Sequence, residues 1–343
     1  MAENNEKNWD QSQLRKYNIQ CDQIPRLRFD DPKVLELILQ NKPVVILGSD
    51  LVKSTEKWDL EYLEKNMGDS DFTVFQSRNH LFKFFDDKKV NQLLSNYKME
   101  FTPPTKRIDI KLSEFCQRLR EWKKGDDRLY LQQLLNNTVG PAIVDDFLHF
   151  KWDWLSNIQK LSNWGPLTSN LLLISMEGNV TPCHYDEQQN LFAQITGYKR
   201  CILFPPEQFE CLYPHPVYHP HDRQSQVDFE NPDLKKFPKF SQVKGQETVL
   251  GPGDVLYIPI YWWHHIESLM RGGYTFSINF WYKAGPTGPI TYPLKSRQKV
   301  AIMRNVEKMV INALADPREV GPLFRALVLG RYAEASSKID DNN

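Results

Sequence analysis

Apolar positions along this chain follow two different periods, and the change falls near residue 171. Before it, several segments repeat at helical spacing. Leu60, Leu63 and Met67 share one face of a helix that Gly68 stops. Leu112, Phe115, Cys116, Leu119 and Trp122 make a second amphipathic helix, and Ile143, Phe147, Phe150 and Trp154 a third. Short β-branched or aromatic runs at 43–47, 72–75 and 129–131 read as strands. The spacing predicts helices that buttress a sheet. Residues 1–24 are polar and aperiodic, a leader to which the pattern assigns no structure.

Beyond residue 171 the apolar runs become short and turn-bounded. Strands are expected at 171–176, 191–195, 198–204, 248–250, 255–258, 262–269 and 274–282, with Gly197 turning a hairpin between the second and third. Many short strands at this spacing predict a fold that is mainly β with flanking helices, closed as a barrel or jelly roll. Residues 205–244 interrupt them with seven prolines. Each proline removes a donor and fixes φ, so the insert cannot be regular sheet and reads as an ordered lid or groove wall. His215, His219 and His221 lie within it, and Pro214, Pro216 and Pro220 predict an extended path that keeps them apart on the surface.

After residue 293 the helical period returns. Met303, Val306, Val310, Ala313 and Leu314 form one stripe; Val320, Leu323, Phe324, Leu327 and Val328 form another beyond Pro317. Such faces either fold back on the barrel or pair with a second copy, and a homodimer through the C-terminal helices is the expectation carried forward. The division expected is a leader at 1–24, a buttress at 25–125, a catalytic barrel at 126–292 with its insert, helices at 293–332 and a tail at 333–343.

Charge changes the picture only by exclusion. The 43 basic and 43 acidic residues cancel, so no nucleic-acid or membrane surface is expected. The five cysteines lack a Cys-x-x-Cys pair, which argues against a disulfide framework or thiolate zinc site and for a reducing compartment, cytoplasm or nucleus.

Candidate chemistry sits at 181–190, Thr-Pro-Cys-His-Tyr-Asp-Glu-Gln-Gln-Asn. His184 and Asp186 stand two apart, so in an extended segment both leave on one face. A third ligand is available downstream in Tyr-Trp-Trp-His-His, where His264 and His265 cannot both face inward. Parity favours His264, which shares its face with Ile258, Ile260 and Ile266. Two His and one carboxylate on one face of a metal form the triad of non-heme Fe(II) oxygenases.

The stretch at 181–190, together with Gly-Tyr-Lys-Arg-Cys-Ile-Leu-Phe-Pro-Pro, Pro-Gly-Asp-Val-Leu-Tyr-Ile-Pro, Tyr-Trp-Trp-His-His-Ile-Glu-Ser and Asn-Phe-Trp-Tyr-Lys, resembles the Jumonji-C 2-oxoglutarate oxygenases. More narrowly it resembles their asparaginyl hydroxylases, of the factor-inhibiting-hypoxia-inducible-factor type. The resemblance runs from about residue 43 to 332. It implies a double-stranded β-helix, with Fe(II), 2-oxoglutarate and dioxygen as cofactors. Iron ligands fall on His184, Asp186 and His264; cosubstrate contacts on Tyr130, Thr181, Asn190, Lys199 and Asn279; and substrate contacts on Gln188, Arg223, Gln224 and Trp281. An inward Lys199 would be costly unless it met a carboxylate, which a dicarboxylate cosubstrate supplies.

The activity so implied is oxidation of the β-carbon of Asn, with Asp or His as further targets, in hypoxia-inducible factor α segments and ankyrin-repeat proteins. Two departures stand out. Cys183 replaces an expected Ala, placing a thiol near activated oxygen and predicting slow self-inactivation. Phe84 and Phe85 stand where Tyr is expected, which bears on substrate preference. Competing readings are a methyl-lysine demethylase, since the wider family holds both activities, and a catalytically silent cupin-fold scaffold.

Overall fold

A computed structural model describes residues 9–286 and 288–329. The expected tail at 333–343 and the start of the leader lie outside the described residues. The leader is not structureless throughout. Residues 20–23 form strand β1 (Gln20–Gln23), which pairs in parallel with a strand more than two hundred residues downstream.

The buttress contains β2 (Arg26–Arg28), α1 (Pro32–Leu39), β3 (Val44–Leu47), α2 (Leu60–Asn66), β4 (Asp71–Ser77), α3 (Asp87–Tyr97), β5 (Lys106–Lys111) and α4 (Leu112–Glu121). Next come β6 (Arg128–Leu134), α5 (Pro141–Leu148) and α6 (Trp152–Leu161). The third expected helix is therefore two. It breaks because Lys151 gives its backbone N–H to the Leu51 carbonyl at 3.0 Å rather than to the preceding turn, while Phe147, Phe150 and Trp152 cluster around the corner.

Eight strands then build the core: β7 (Leu167–Ser175), β8 (Val180–Tyr185), β9 (Gln189–Thr196), β10 (Lys199–Phe204), β11 (Lys244–Leu250), β12 (Val255–Ile258), β13 (Trp263–Ser268) and β14 (Thr275–Tyr282). They divide between two sheets, ordered β1-β11-β10-β13-β8 and β2-β3-β12-β9-β14-β7-β6-β4-β5. The chain changes sheet at every connection from β7 to β14 except β10 to β11, the winding of a jelly roll. The expected hairpin between β9 and β10 is absent. Gly197, at φ +69°, hands the chain from one sheet to the other; an added Cβ there would stand 2.7 Å from the Tyr274 carbonyl.

Burial explains the sequence pattern. Leu191, Ala193 and Ile195 of β9 pack outward among the helices, while Phe192 packs into the barrel, so the strand reads as continuously apolar instead of alternating. On β10, Cys201 and Leu203 face inward, and Ile202 and Phe204 face outward beneath the insert. Lys199 follows the inward parity.

The C-terminal helices are α7 (Ser296–Leu314) and α8 (Pro317–Val328). Part of their apolar surface does fold back: Ile311 and Val320 pack on Val217 of the insert. Among the described residues no helix is long and apolar enough to cross a membrane.

Candidate functional site

The metal-ligand geometry begins with a bulge. His184 of β8 pairs with His264 of β13, and Thr181 pairs with Ile266. Pro182 and Cys183 thus oppose the single residue His265. Pro182 has no N–H to give the ladder, which makes it a natural place for the irregularity. The extra residue changes parity, so Thr181 and His184, three apart, both line one cavity. Cys183 is turned the other way, packed with Tyr185, Ile202 and Phe204 on the outer face. Burial raises its thiol pKa well above the ordinary value, and the thiol does not line the cavity, where the expected self-inactivation would place it.

His184, Asp186 and His264 bring one ligand atom each within 4.8 Å of one another; among the described residues no other His, Cys, Asp or Glu trio does so. Each imidazole is oriented by the backbone carbonyl two residues before it. Nδ1 of His184 lies 2.9 Å from the Pro182 carbonyl and Nδ1 of His264 lies 3.1 Å from the Trp262 carbonyl. A carbonyl only accepts, so both Nδ1 atoms carry the proton and both Nε2 lone pairs are left for the centre. Burial lowers the pKa of both, His264 to about 3. For Asp186 burial acts upward, but His184, His264 and Arg223 outweigh it and hold the carboxyl below its ordinary value. Two neutral imidazoles and one carboxylate are the donor set that suits Fe(II). His265 points to the outer face, stacked on Phe229 at 4.9 Å.

The cavity is about 280 Å³ and is lined by Tyr130, Thr181, Asn190, Arg223, Gln224 and Asn279 among others, with Trp281 at its wall. Lys199 lies behind this lining, 1% exposed. Its Nζ donates to Ser277 Oγ at 2.8 Å and sits 5.6 Å and 5.3 Å from the ring centres of Tyr130 and Phe192. No carboxylate meets it among the described ion pairs, and burial lowers its pKa to about 7. The side-chain oxygens of Asn190 and Asn279 are buried without a hydrogen-bond partner among the described residues. A buried ammonium without an anion and two unsatisfied amides need a polar guest. Burial likewise raises the Tyr130 hydroxyl pKa, against a hydrogen bond with Thr181.

The insert forms the outer wall. Tyr185 donates its backbone N–H to the Arg223 carbonyl at 3.1 Å, and Ser225 to the Cys183 carbonyl at 2.9 Å, extending the five-stranded sheet past β8. Arg223, at φ +68°, reaches Asp186 Oδ1 at 2.9 Å. Gln224 donates to the Phe84 carbonyl. Gln188 is not brought into the cavity; it donates to Thr168 Oγ1 at 2.6 Å and faces an adjoining depression of about 500 Å³.

The histidines of the insert differ from expectation. Turns closed by His219 N–H to Pro216 and Asp222 N–H to His219 bend the prolines back instead of extending them. His215 and His219 stack at 4.2 Å, with His221 5.4 Å from His219, and His221 is buried.

Two site residues carry no sequence signal. Lys83 comes from a strap after β4 and lines the cavity. Arg304 of α7 is buried and forked onto Asp222 at 2.7 and 3.0 Å, with Tyr185 Oη at 3.0 Å and Glu187 at 3.1 Å. It ties the C-terminal helix to the residues on either side of Asp186 and to the insert.

Comparison with known proteins agrees with this geometry. The "Lysine-specific demethylase 8" of Xenopus tropicalis is 47% identical over 263 residues, covering 71% of this chain and 49% of that protein. The human "HSPB1-associated protein 1" is 43% identical over 112 residues, 32% of this chain and 22% of that one. The human "tRNA wybutosine-synthesizing protein 5" is 27% identical over 251 residues, 72% and 73% respectively. The chain spans half or less of the length of the first two. A family model described as "Cupin-like domain" matches residues 33–288, the jelly roll and most of its buttress, and the chain belongs to that cupin-like family, of the Jumonji-C oxygenase type.

Proposed function

We propose that this chain is an Fe(II)- and 2-oxoglutarate-dependent protein hydroxylase that oxidises the β-carbon of Asn in an extended protein segment. Lys199 carries the reading. A fully buried ammonium whose one hydrogen-bond partner among the described residues is a hydroxyl calls for a carboxylate, and Tyr130, Thr181, Asn190 and Asn279 stand around the same pocket as neutral partners. His184, Asp186 and His264 would hold the metal. When bound, the metal and 2-oxoglutarate supply the oxidising power for inserting one atom of dioxygen into a C–H bond.

The protein's own residues hold, orient and exclude. Pro182 and Trp262 fix the two imidazoles through their carbonyls, and Arg223 restrains Asp186. Phe75, Phe82 and Leu173 keep water from the floor. Gln224 and Trp281 face a bound segment, with Gln188 at the neighbouring depression. The motifs at 181–190 and 262–282 support the asparaginyl assignment, and hypoxia-inducible factor α segments and ankyrin-repeat loops are the proposed targets. Exposed Met303, Val306 and Met309 on α7, with Leu323, Leu327 and Val328 on α8, support a homodimer through these helices, working in cytoplasm or nucleus.

The relatives named as lysine-specific demethylases favour a second reading, removal of methyl groups from lysine. Incubation with Fe(II), 2-oxoglutarate, Asn-containing transactivation and ankyrin peptides and methyl-lysine histone peptides decides between them. Mass spectrometry is expected to find one added oxygen on Asn, absent with His184→Ala. Loss of methyl groups with no oxidised Asn would overturn the assignment, and no cosubstrate turnover with any peptide would favour a silent scaffold.

A further inference from the structure

The cavity wall carries a cation that its own residues leave unmatched. Of its carboxylates, Asp186 is taken by Arg223 at 2.9 Å, and Asp222 by Arg304 and by Lys89 at 2.7 Å. Lys199 is assigned to the cosubstrate. Lys83 remains. No carboxylate comes within ion-pair distance of it among the described residues, and Asp228 acts on it only from farther away.

The position of Lys83 is fixed from both sides. Phe82 gives its backbone N–H to the Val180 carbonyl at 2.8 Å, and Asp86 gives its own to the Pro220 carbonyl at 3.0 Å. The strap is thus held between β8 and the insert, with Phe82, Lys83 and Phe84 all lining the cavity. The nearest partner of Lys83 is an imidazole, His215 Nε2 at 3.3 Å.

The surrounding histidines do not supply the missing charge. His221 Nδ1 donates to the Phe84 carbonyl at 2.6 Å, and His219 Nδ1 accepts from the His221 N–H at 3.0 Å. Each hydrogen bond suits a neutral ring. Burial, then the Lys83 charge, pushes His215 down to about 2 and His221 to about 4. Burial holds Lys83 itself down to about 8, as befits an ammonium without an anion.

We infer that Lys83 is a specificity-determining residue whose ammonium pairs with a carboxylate on the bound segment, so that the site selects targets bearing Asp or Glu beside the oxidised residue. This rests on the reading of the site as a protein oxygenase. A carboxylate arriving among Phe75, Phe82 and Phe84 replaces a weak imidazole contact with a charge-assisted hydrogen bond in an apolar setting. A methylated lysine entering the same space meets a like charge beside the phenyl rings that would otherwise attract it. Lys83 therefore also disfavours demethylation.

The test uses the full-length, metal-loaded protein and an Asn-centred peptide set in which one flanking position is Asp, Glu, Asn, Gln or Lys. Binding is measured by calorimetry and oxidation separately by mass spectrometry, for wild type, Lys83→Met and Lys83→Arg. Wild type is expected to bind the acidic peptides about tenfold tighter than their amide counterparts, with the preference lost in Lys83→Met and retained in Lys83→Arg. Acidic peptides that bind through Lys83 but gain no oxygen would sustain this inference and sink the asparaginyl assignment. Peptides oxidised without acidic preference would do the reverse. A preference that survives Lys83→Met, or no binding of any acidic peptide, overturns the role given to Lys83.

Discussion

Replacing Lys199 by Met should make the cofactor-free protein more stable while removing its response to 2-oxoglutarate. The ammonium is 1% exposed, and its pKa falls from 10.5 to about 7 through burial. Because the folded-state value is the lower one, the unfolded chain binds more protons between pH 7 and 10.5, so wild-type stability rises with pH across that window. At about 1.4 kcal/mol per unit, holding the lysine costs on the order of 4 kcal/mol at pH 7 and about 2 kcal/mol at pH 9. Met keeps the length of the stem and removes this cost. It also leaves Ser277 Oγ without its 2.8 Å donor, which returns about 1 kcal/mol. The net expectation is a gain of about 3 kcal/mol at pH 7 that shrinks as pH approaches 10, read from urea unfolding of both proteins across the range. Adding 2-oxoglutarate with Mn(II) at a hundredfold excess over its Kd should stabilise wild type by about 2.7 kcal/mol and Lys199→Met far less. A Met variant no more stable than wild type at pH 7, or a difference flat with pH, would refute the account of Lys199 as a buried charge awaiting its anion.

His264→Ala should abolish metal binding in equilibrium dialysis and cosubstrate turnover together, since one of three ligands is lost; His265→Ala, on the outer face, should spare the metal. Arg304→Ala should cost about 3 to 5 kcal/mol in chemical unfolding, because Asp222 keeps only Lys89, and Arg304→Lys should recover little of it since the fork is lost. Leu323→Glu, on the exposed face of α8, should shift sedimentation toward monomer, and unchanged sedimentation would remove the homodimer proposed through that face.

What the sequence made legible was local. Strand parity is one such local signal: resemblance assigns Lys199 to the cosubstrate, and the inward Cys201 and Leu203 of β10 share its parity. His264 could be preferred over His265 by the same argument, and the structure turns them to opposite faces. The hairpin failed for a nonlocal reason. Gly197 marks a turn in any fold, but whether the chain turns back on itself or crosses to another sheet depends on β12, β14, β11 and β13 being present to pair with β9 and β10. α3, β5 and the leader strand β1 were unread because their apolar content is low or their partners distant; α1, with five apolar residues in eight, was unread despite a clear pattern.

The bulge at Pro182 shows why the site was harder to read than the fold. Strict alternation would put Thr181 on the outer face with Cys183, opposite His184. One extra residue on β8 reverses that arrangement, bringing Thr181 into the cavity with His184 while Cys183 stays outside. Proline announces such a break only when its partner strand is known, because a missing N–H matters at a paired position and not at an edge. Lys83 and Arg304 are farther beyond reach. Their roles come from a strap pinned at Val180 and Pro220 and from a helix that starts after the barrel has closed, so no window of sequence around either residue contains the groups that give it a function.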